Sequence, residues 1–176
     1  MNAKAYAGLL LLTEPEAEEA LEFIKAVFPG YTLHGMGHSL RILENLYQAL
    51  SVPLREELSA SEIFCLIMAA LFHDMGMAQA DAPDTSHQRD QHHLYAKAPL
   101  ELFMREKMTA VKEWRRLYTC ILFVCEAHGM DLGAFYGHES FYITDTIDGK
   151  PVRFGLLGVL LRIGDLLDLD ENRTSD

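Results

Sequence analysis

The 176-residue chain is long enough to bury a sizeable core and is read as one domain, residues 1–176. Hydrophobic residues at 49% and charged residues at 23% are the proportions of a soluble globular protein. A formal charge of −11 excludes a general grip on duplex nucleic acid, which needs a basic surface. It leaves room for a small phosphorylated ligand, because a bound metal reverses the sign of a pocket locally.

The AYAGLLLL run near the N-terminus is too short to span a bilayer and lacks a cleavage site before the acidic TEPEAEE. No membrane association is expected. A short helix is predicted over 13–29, with Thr13 as its cap, Pro15 in an early turn and Pro29-Gly30 as its stop. A second helix is predicted from about Gly37 to Leu50, with Met36, Leu40, Leu43, Tyr47 and Leu50 as its apolar stripe. His38 and Ile42 lie to one side of that stripe, which puts His38 at the edge of the core.

Ser59-Ala60-Ser61-Glu62 reads as a capping box, and the IFCLIMAALF that follows is apolar on every side, the mark of a central buried helix. That helix ends in His73-Asp74-Met75-Gly76. Two ionisable residues at the end of the most buried helix need a reason, since burying them unpaired is costly. A further helix is predicted over His92 to Ala98, restarted or kinked by Pro99. Another opens at Thr109 and runs to His128, with Gly129 as its stop. SFYITDTIDGKPVRF carries two short β-like runs around Asp148-Gly149, a hairpin near 140–154 inserted in a helical domain. The last helix covers about Gly155 to Leu169. Cys65, Cys120 and Cys125 lie in apolar runs and form no CxxC pair, which suits buried thiols in the reducing cytoplasm.

The polar outliers recur at the ends and edges of these apolar helices: His38, His73, Asp74, His92 or His93, His128 and Asp165. Any one such histidine is most often a hydrogen-bonded core residue. The set points elsewhere, because helical bundles build metal sites from side chains whose inner ends face a common cavity. Imidazole and carboxylate together suit one or two divalent transition ions, Fe, Mn, Ni, Co or Zn. A carboxylate can bridge two cations where an imidazole nitrogen binds one. The arrangement expected is therefore His38, His73, Asp74 and Asp165 on one ion, with Asp74 shared with a second held by His92 and His128. Two ions about 3.5–4 Å apart can activate a water and stabilise the leaving oxygen of a phosphate ester. Arg41 lies three residues after His38, Arg89 and Lys97 flank the His92-His93 pair, and Arg162 precedes Asp165 by three. These cations, with His93, are the candidate substrate contacts.

The ordered series His38, His73-Asp74, His128 and Asp165 resembles the signature of the HD superfamily of metal-dependent phosphohydrolases. HSLRILENL is similar to its first-histidine helix, LIMAALFHDMGM to its doublet helix, and LLRIGDLLDLDENR to its terminal aspartate helix. HDMGM, RDQHH and LLRIGDLLDLDENR resemble in particular an HD subgroup found in larger bacterial proteins, some carrying Hsp90-like ATPase domains. The resemblance, over roughly residues 34 to 173, implies an all-α HD bundle with metal held by His38, His73, Asp74 and Asp165. In binuclear members two more histidines intervene, and His92 and His128 stand in that order here, with His93 competing with His92. The catalytic residues implied are Asp74, His73 and His128, acting on a nucleotide or related phosphate ester. No GYP motif is present, so the cyclic dinucleotide substrate of the HD-GYP branch does not carry over. Two other functions use the same fold. One is a non-catalytic nucleotide-sensing or docking module of a longer protein; the other is a di-iron oxygenase.

Overall fold

The computed structural model describes residues 4–11, 13, 15, 18, 35–78 and 91–168. After a helical segment at 4–11 come α1 (Met36–Ala49), α2 (Val52–Glu57) and α3 (Ala60–Phe72), which passes into a 3-10 turn at Met75–Ala78. A helical turn at 91–95 precedes α4 (Lys97–Lys107), α5 (Trp114–Gly129), α6 (Leu132–Gly137) and a 3-10 turn at Glu139–Tyr142. The hairpin β1 (Thr144–Ile147) and β2 (Lys150–Arg153) then leads straight into α7 (Phe154–Leu167). The architecture is an all-α bundle carrying one small antiparallel hairpin, as the sequence predicts.

Ten of the thirteen residues of α3 are buried, because the other long helices pack around it: α1, α5 and α7 all contact it. The stretch Ala60–Met77 has the length and apolarity of a membrane span, yet 83% of it is buried inside the protein. The capping box forms as expected. Ser59 Oγ accepts from the Glu62 N–H at 3.2 Å, and Glu62 Oε2 accepts from the Ser59 N–H at 2.9 Å. The fully buried Glu62 also accepts from Arg153, through its backbone N–H at 3.0 Å, its Nε at 2.8 Å and its Nη2 at 3.0 Å. Burial works against charge on Glu62, but the Arg153 and Ser59 donors outweigh it and hold the carboxyl below its usual range. Arg153 is the residue from which α7 starts. One carboxylate thus fastens the start of α3 to the start of α7.

Two features of the hairpin follow from its turn. Asp148 (φ 53°) and Gly149 (φ 72°) both take the left-handed conformation a two-residue turn requires, setting Ile147 opposite Lys150. Asp148 Oδ2 accepts a hydrogen bond from the Tyr6 hydroxyl at 2.6 Å, which docks the N-terminal helical segment on the hairpin.

Several boundaries differ from the sequence reading. Thr13 does not cap a helix start: residues 4–11 are already helical, and Thr13 Oγ1 donates to the Leu9 carbonyl within the helix at 2.9 Å. The remainder of the predicted 13–29 helix, apart from Pro15 and Glu18, lies outside the described residues. On α1 the buried face is His38, Ser39, Ile42 and Leu46, whereas Leu40 and Tyr47 are 53% and 67% exposed. Of the predicted stripe, Met36, Leu43 and Leu50 do pack against the core, while His38 and Ser39 take part of the inward face. The helical break falls at Ala96, three residues before Pro99, which sits harmlessly in the first turn of α4. Thr109 belongs to a turn, and α5 begins only at Trp114.

Candidate metal centre

α3, α5 and α7 bring their C-terminal ends, and α1 its first turn, to one end of the bundle. His73 is the C-cap of α3 and Asp74 follows it; His128 is in the last turn of α5, Asp165 in the last turn of α7, and His38 is the third residue of α1. His92 arrives on the helical turn at 91–95.

Asp74 is buried and stands between two groups of imidazoles. Its Oδ2 lies 3.3 Å from His73 Nε2 and 3.6 Å from His38 Nε2, and His38 Nε2 is also 3.3 Å from Asp165 Oδ1. Its Oδ1 lies 3.2 Å from His92 Nε2 and 3.8 Å from His128 Nε2, and these two nitrogens are 2.8 Å apart. Two ligand clusters result, His38/His73/Asp74 and Asp74/His92/His128, each with its donor atoms within 4.8 Å of one another. Donors bound about 2.0–2.2 Å from one ion stand roughly 3–3.5 Å apart at neighbouring positions, which is the spacing seen.

The outer nitrogens of three of these rings are engaged from behind. His73 Nδ1 is 3.0 Å from the Ala70 carbonyl, His128 Nδ1 is in contact with the Cys125 carbonyl, and His38 Nδ1 is 2.5 Å from Asp168 Oδ2. A proton on each Nδ1 leaves the Nε2 lone pair pointing inward. His73 Nε2 is buried and makes no hydrogen bond, so its lone pair faces a carboxylate oxygen. Two facing lone pairs repel unless a cation lies between them, a proton or a metal ion, and the raised pKa of His73 expresses the same pull. The donor set and this orphaned nitrogen fit a divalent transition ion.

The electrostatics divide the imidazoles into one held neutral and one that draws positive charge. Burial, with His73 and His92 nearby, pushes His128 down to about 3, so its imidazole is neutral and available as a donor. Burial opposes charge on His73, but Asp74 and Asp165 outweigh it and raise its pKa. Burial likewise opposes ionisation of Asp165, yet the hydrogen bond to His38 and the charge of His73 take it down to about 2. Burial works against Asp168 too, and Arg41 and His38 overcome it.

The alternatives His92 and His93 separate in space. His92 reaches Asp74, whereas His93 packs its ring against Gly129, where a Cβ would lie 2.3 Å from His93 Nδ1. His93 Nδ1 is buried without a hydrogen bond, and burial, with His92 beside it, lowers its pKa. Among the expected substrate cations, Arg41 forks onto Asp168, Nε to Oδ1 at 2.7 Å and Nη2 to Oδ2 at 3.0 Å. Arg162 caps α5: its Nη1 donates to the Ala127 and Met130 carbonyls, both at 2.6 Å, and its guanidinium lies over Phe135. Lys97 is exposed at the first residue of α4, and Arg89 lies outside the described residues. Asp168 has no place in the sequence reading. Its signal is the i, i+3 spacing from Asp165 in DLLDLD, which puts both carboxylates on one side of the helix end.

A scan of protein-family models matches the chain to HD-CE over residues 28–176. A search of curated proteins and a search of solved structures each returned no significant match. The matched span contains every member of both ligand clusters, in the order His38, His73-Asp74, His92, His128, Asp165. With the helical fold and its buried His/Asp cluster, this match shows that the chain belongs to the HD-CE family of HD-type domains.

Proposed function

We propose that the chain is a metal-dependent phosphohydrolase or phosphodiesterase acting on a nucleotide or related phosphate ester. The observation that carries this reading is Asp74, whose two oxygens face two separate imidazole groups. In this reading His38, His73, Asp74 and Asp165 hold one ion, and Asp74, His92 and His128 hold a second. Bound there, such ions supply Lewis acidity and a water whose pKa is lowered towards neutrality.

The chain's own residues do the rest. Asp74 bridges the two groups and, being buried, keeps them at fixed separation away from bulk water. His73 and His128 donate their Nδ1 protons to backbone carbonyls and so turn Nε2 inward, as the atom that would hold an ion. Lys97, with Arg89, supplies positive charge for phosphate oxygens in a chain whose net charge is −11, which disfavours a nucleic-acid duplex as the substrate. The free, buried thiols of Cys65, Cys120 and Cys125 accord with the cytoplasm as the compartment.

The test is release of p-nitrophenol from bis(p-nitrophenyl) phosphate, and of phosphate from a nucleotide panel, by protein loaded with Mn or Fe. Activity that disappears with metal in Asp74→Ala is expected. Oxygen uptake by the iron-loaded protein without phosphate release would transfer the site to the oxygenase chemistry. A second reading, a ligand-binding module without turnover, is favoured by the engagement of Arg41 and Arg162 with groups of the chain itself. Tight nucleotide binding and no turnover with any of several metals is the outcome that would establish it.

A further inference from the structure

We infer that Asp168, fastened by Arg41, is the positioning residue that sets His38 as a strong metal donor and makes the Asp74–Asp165 pocket the tighter of the two. This inference rests on the metal-binding reading above.

Asp168 is buried at the end of α7, three residues beyond Asp165. Its Oδ2 meets His38 Nδ1 at 2.5 Å, while both its oxygens accept from the Arg41 fork. A bidentate guanidinium fixes a carboxylate in plane and rotation, so the His38 ring is held on two levels. Arg41 and His38 lie on the same helix, three residues apart, and the triangle therefore closes between α1 and α7 without any loop. The end of α7 serves one pocket twice: Asp165 Oδ1 faces His38 Nε2 directly, and Asp168 grips the other nitrogen of the same ring.

The contrast with the neighbouring rings carries the argument. His73 and His128 engage peptide carbonyls in their own helices, Ala70 and Cys125, which are neutral acceptors. A carboxylate draws on the Nδ1 proton more strongly than a carbonyl, and the ring's opposite nitrogen becomes a better donor to a cation. Among the described residues the two pockets also differ in charge. Asp74 and Asp165 face the His38 and His73 side, with Asp168 behind them, whereas the described cluster at His92 and His128 has Asp74 as its carboxylate. Coulomb attraction to a divalent ion is accordingly stronger on the first side.

The experiment is a competition titration of metal-free protein with Mn and with Co, the second followed by its visible absorption, on wild type, Asp168→Asn and Arg41→Lys. Melting curves of the metal-free proteins establish that each variant folds. Wild type should show two steps of unequal affinity. Asp168→Asn should weaken the tighter step by roughly 10- to 100-fold, change the absorption of the first cobalt equivalent, and leave the weaker step in place. Arg41→Lys keeps a cation but loses the fork, and should weaken the same step to a smaller degree. Two steps in wild type with neither changed in Asp168→Asn, or both weakened alike in the two variants, would overturn the inference while leaving the metal reading standing. No metal bound by wild type would remove the reading itself, and this inference with it.

Discussion

Gly76 is the most stringent single-atom test of how the second ligand cluster is built. It lies in the 3-10 turn just past the doublet, and a Cβ placed on it would be 1.9 Å from the His92 carbonyl oxygen and 2.9 Å from the Ala96 nitrogen. Both obstacles are backbone, so no side chain can swing aside. To reach van der Waals distance, the turn at 91–95 must retreat by about 1–1.5 Å in Gly76→Ala. His92 Nε2 now stands 3.2 Å from Asp74 Oδ1 and would move to more than about 4 Å, beyond the edge of one coordination shell. His38 and Asp165 are carried by α1 and α7 and stay where they are. Overpacking of this kind costs about 1–3 kcal/mol, and a domain of this length loses roughly 2–4 °C in melting temperature per kcal/mol. Metal content by mass spectrometry should fall from near two per chain towards one, with a lower melting temperature. His92→Ala should reproduce the stoichiometry. Two bound equivalents and an unchanged melting curve in Gly76→Ala would refute the close-approach argument.

Asp74→Ala removes the carboxylate shared by both clusters, so metal content should drop to near zero in a protein that still folds; one retained equivalent would show that Asp74 is not the bridge. Glu62→Gln strips the charge from a fully buried group that accepts from Arg153 three times, and should destabilise by about 3 kcal/mol in urea unfolding, less than about 1 kcal/mol being the contrary result. For metal-free protein, burial lowers the pKa values of His93 and His128, so on acidification the unfolded chain takes up those protons first. Their contribution to stability is complete above about pH 6.5 and is lost as pH falls towards the folded values, about 3 for His128. His73, raised by its carboxylates, runs the other way and loses its contribution as pH rises through its folded value. The difference between variants therefore isolates one group: His93→Gln should lose less melting temperature than wild type between pH 7 and pH 5, and equal losses would count against the buried neutral imidazole.

What could be read from sequence depended on whether local chemistry and tertiary demand agreed. They agree in α3, where the Ser59–Glu62 box marks the start, the apolar run the buried body and the His-Asp doublet the end. They agree again at Asp148-Gly149, where both residues tolerate the left-handed backbone the turn needs. They conflict in α1. His38 occupies the inward face as a member of the ligand cluster, with Ser39 buried beside it, so hydrophobic periodicity points to Leu40 and Tyr47, which face solvent. The choice between His92 and His93 was closed to sequence because adjacent residues on a helical turn differ by 100° in direction, and only packing of His93 on Gly129 decides which one faces Asp74. For Arg41 and Arg162 a sequence shows the charge but not the acceptors that each meets within the chain, here Asp168 and the carbonyls that end α5.

The site is set by helix register more than by any loop. Glu62 and Arg153 fasten α3 and α7 at one end, and from there eleven residues lead to His73 and twelve to Asp165. At 1.5 Å per residue both paths rise about 17 Å, so the doublet and the final aspartate arrive at the same level. A slip of one residue in α7 would turn the helix by 100° and set Gly164 or Leu166 where Asp165 faces His38. It would also take Asp168 off His38 Nδ1, since both carboxylates ride on the same helix end. The buried Glu62–Arg153 contact therefore acts at a distance on the metal ligands through two rigid rods. A charge in the core is a costly way to join two helices, and the register it enforces is a reason for it to stand there rather than an apolar pair.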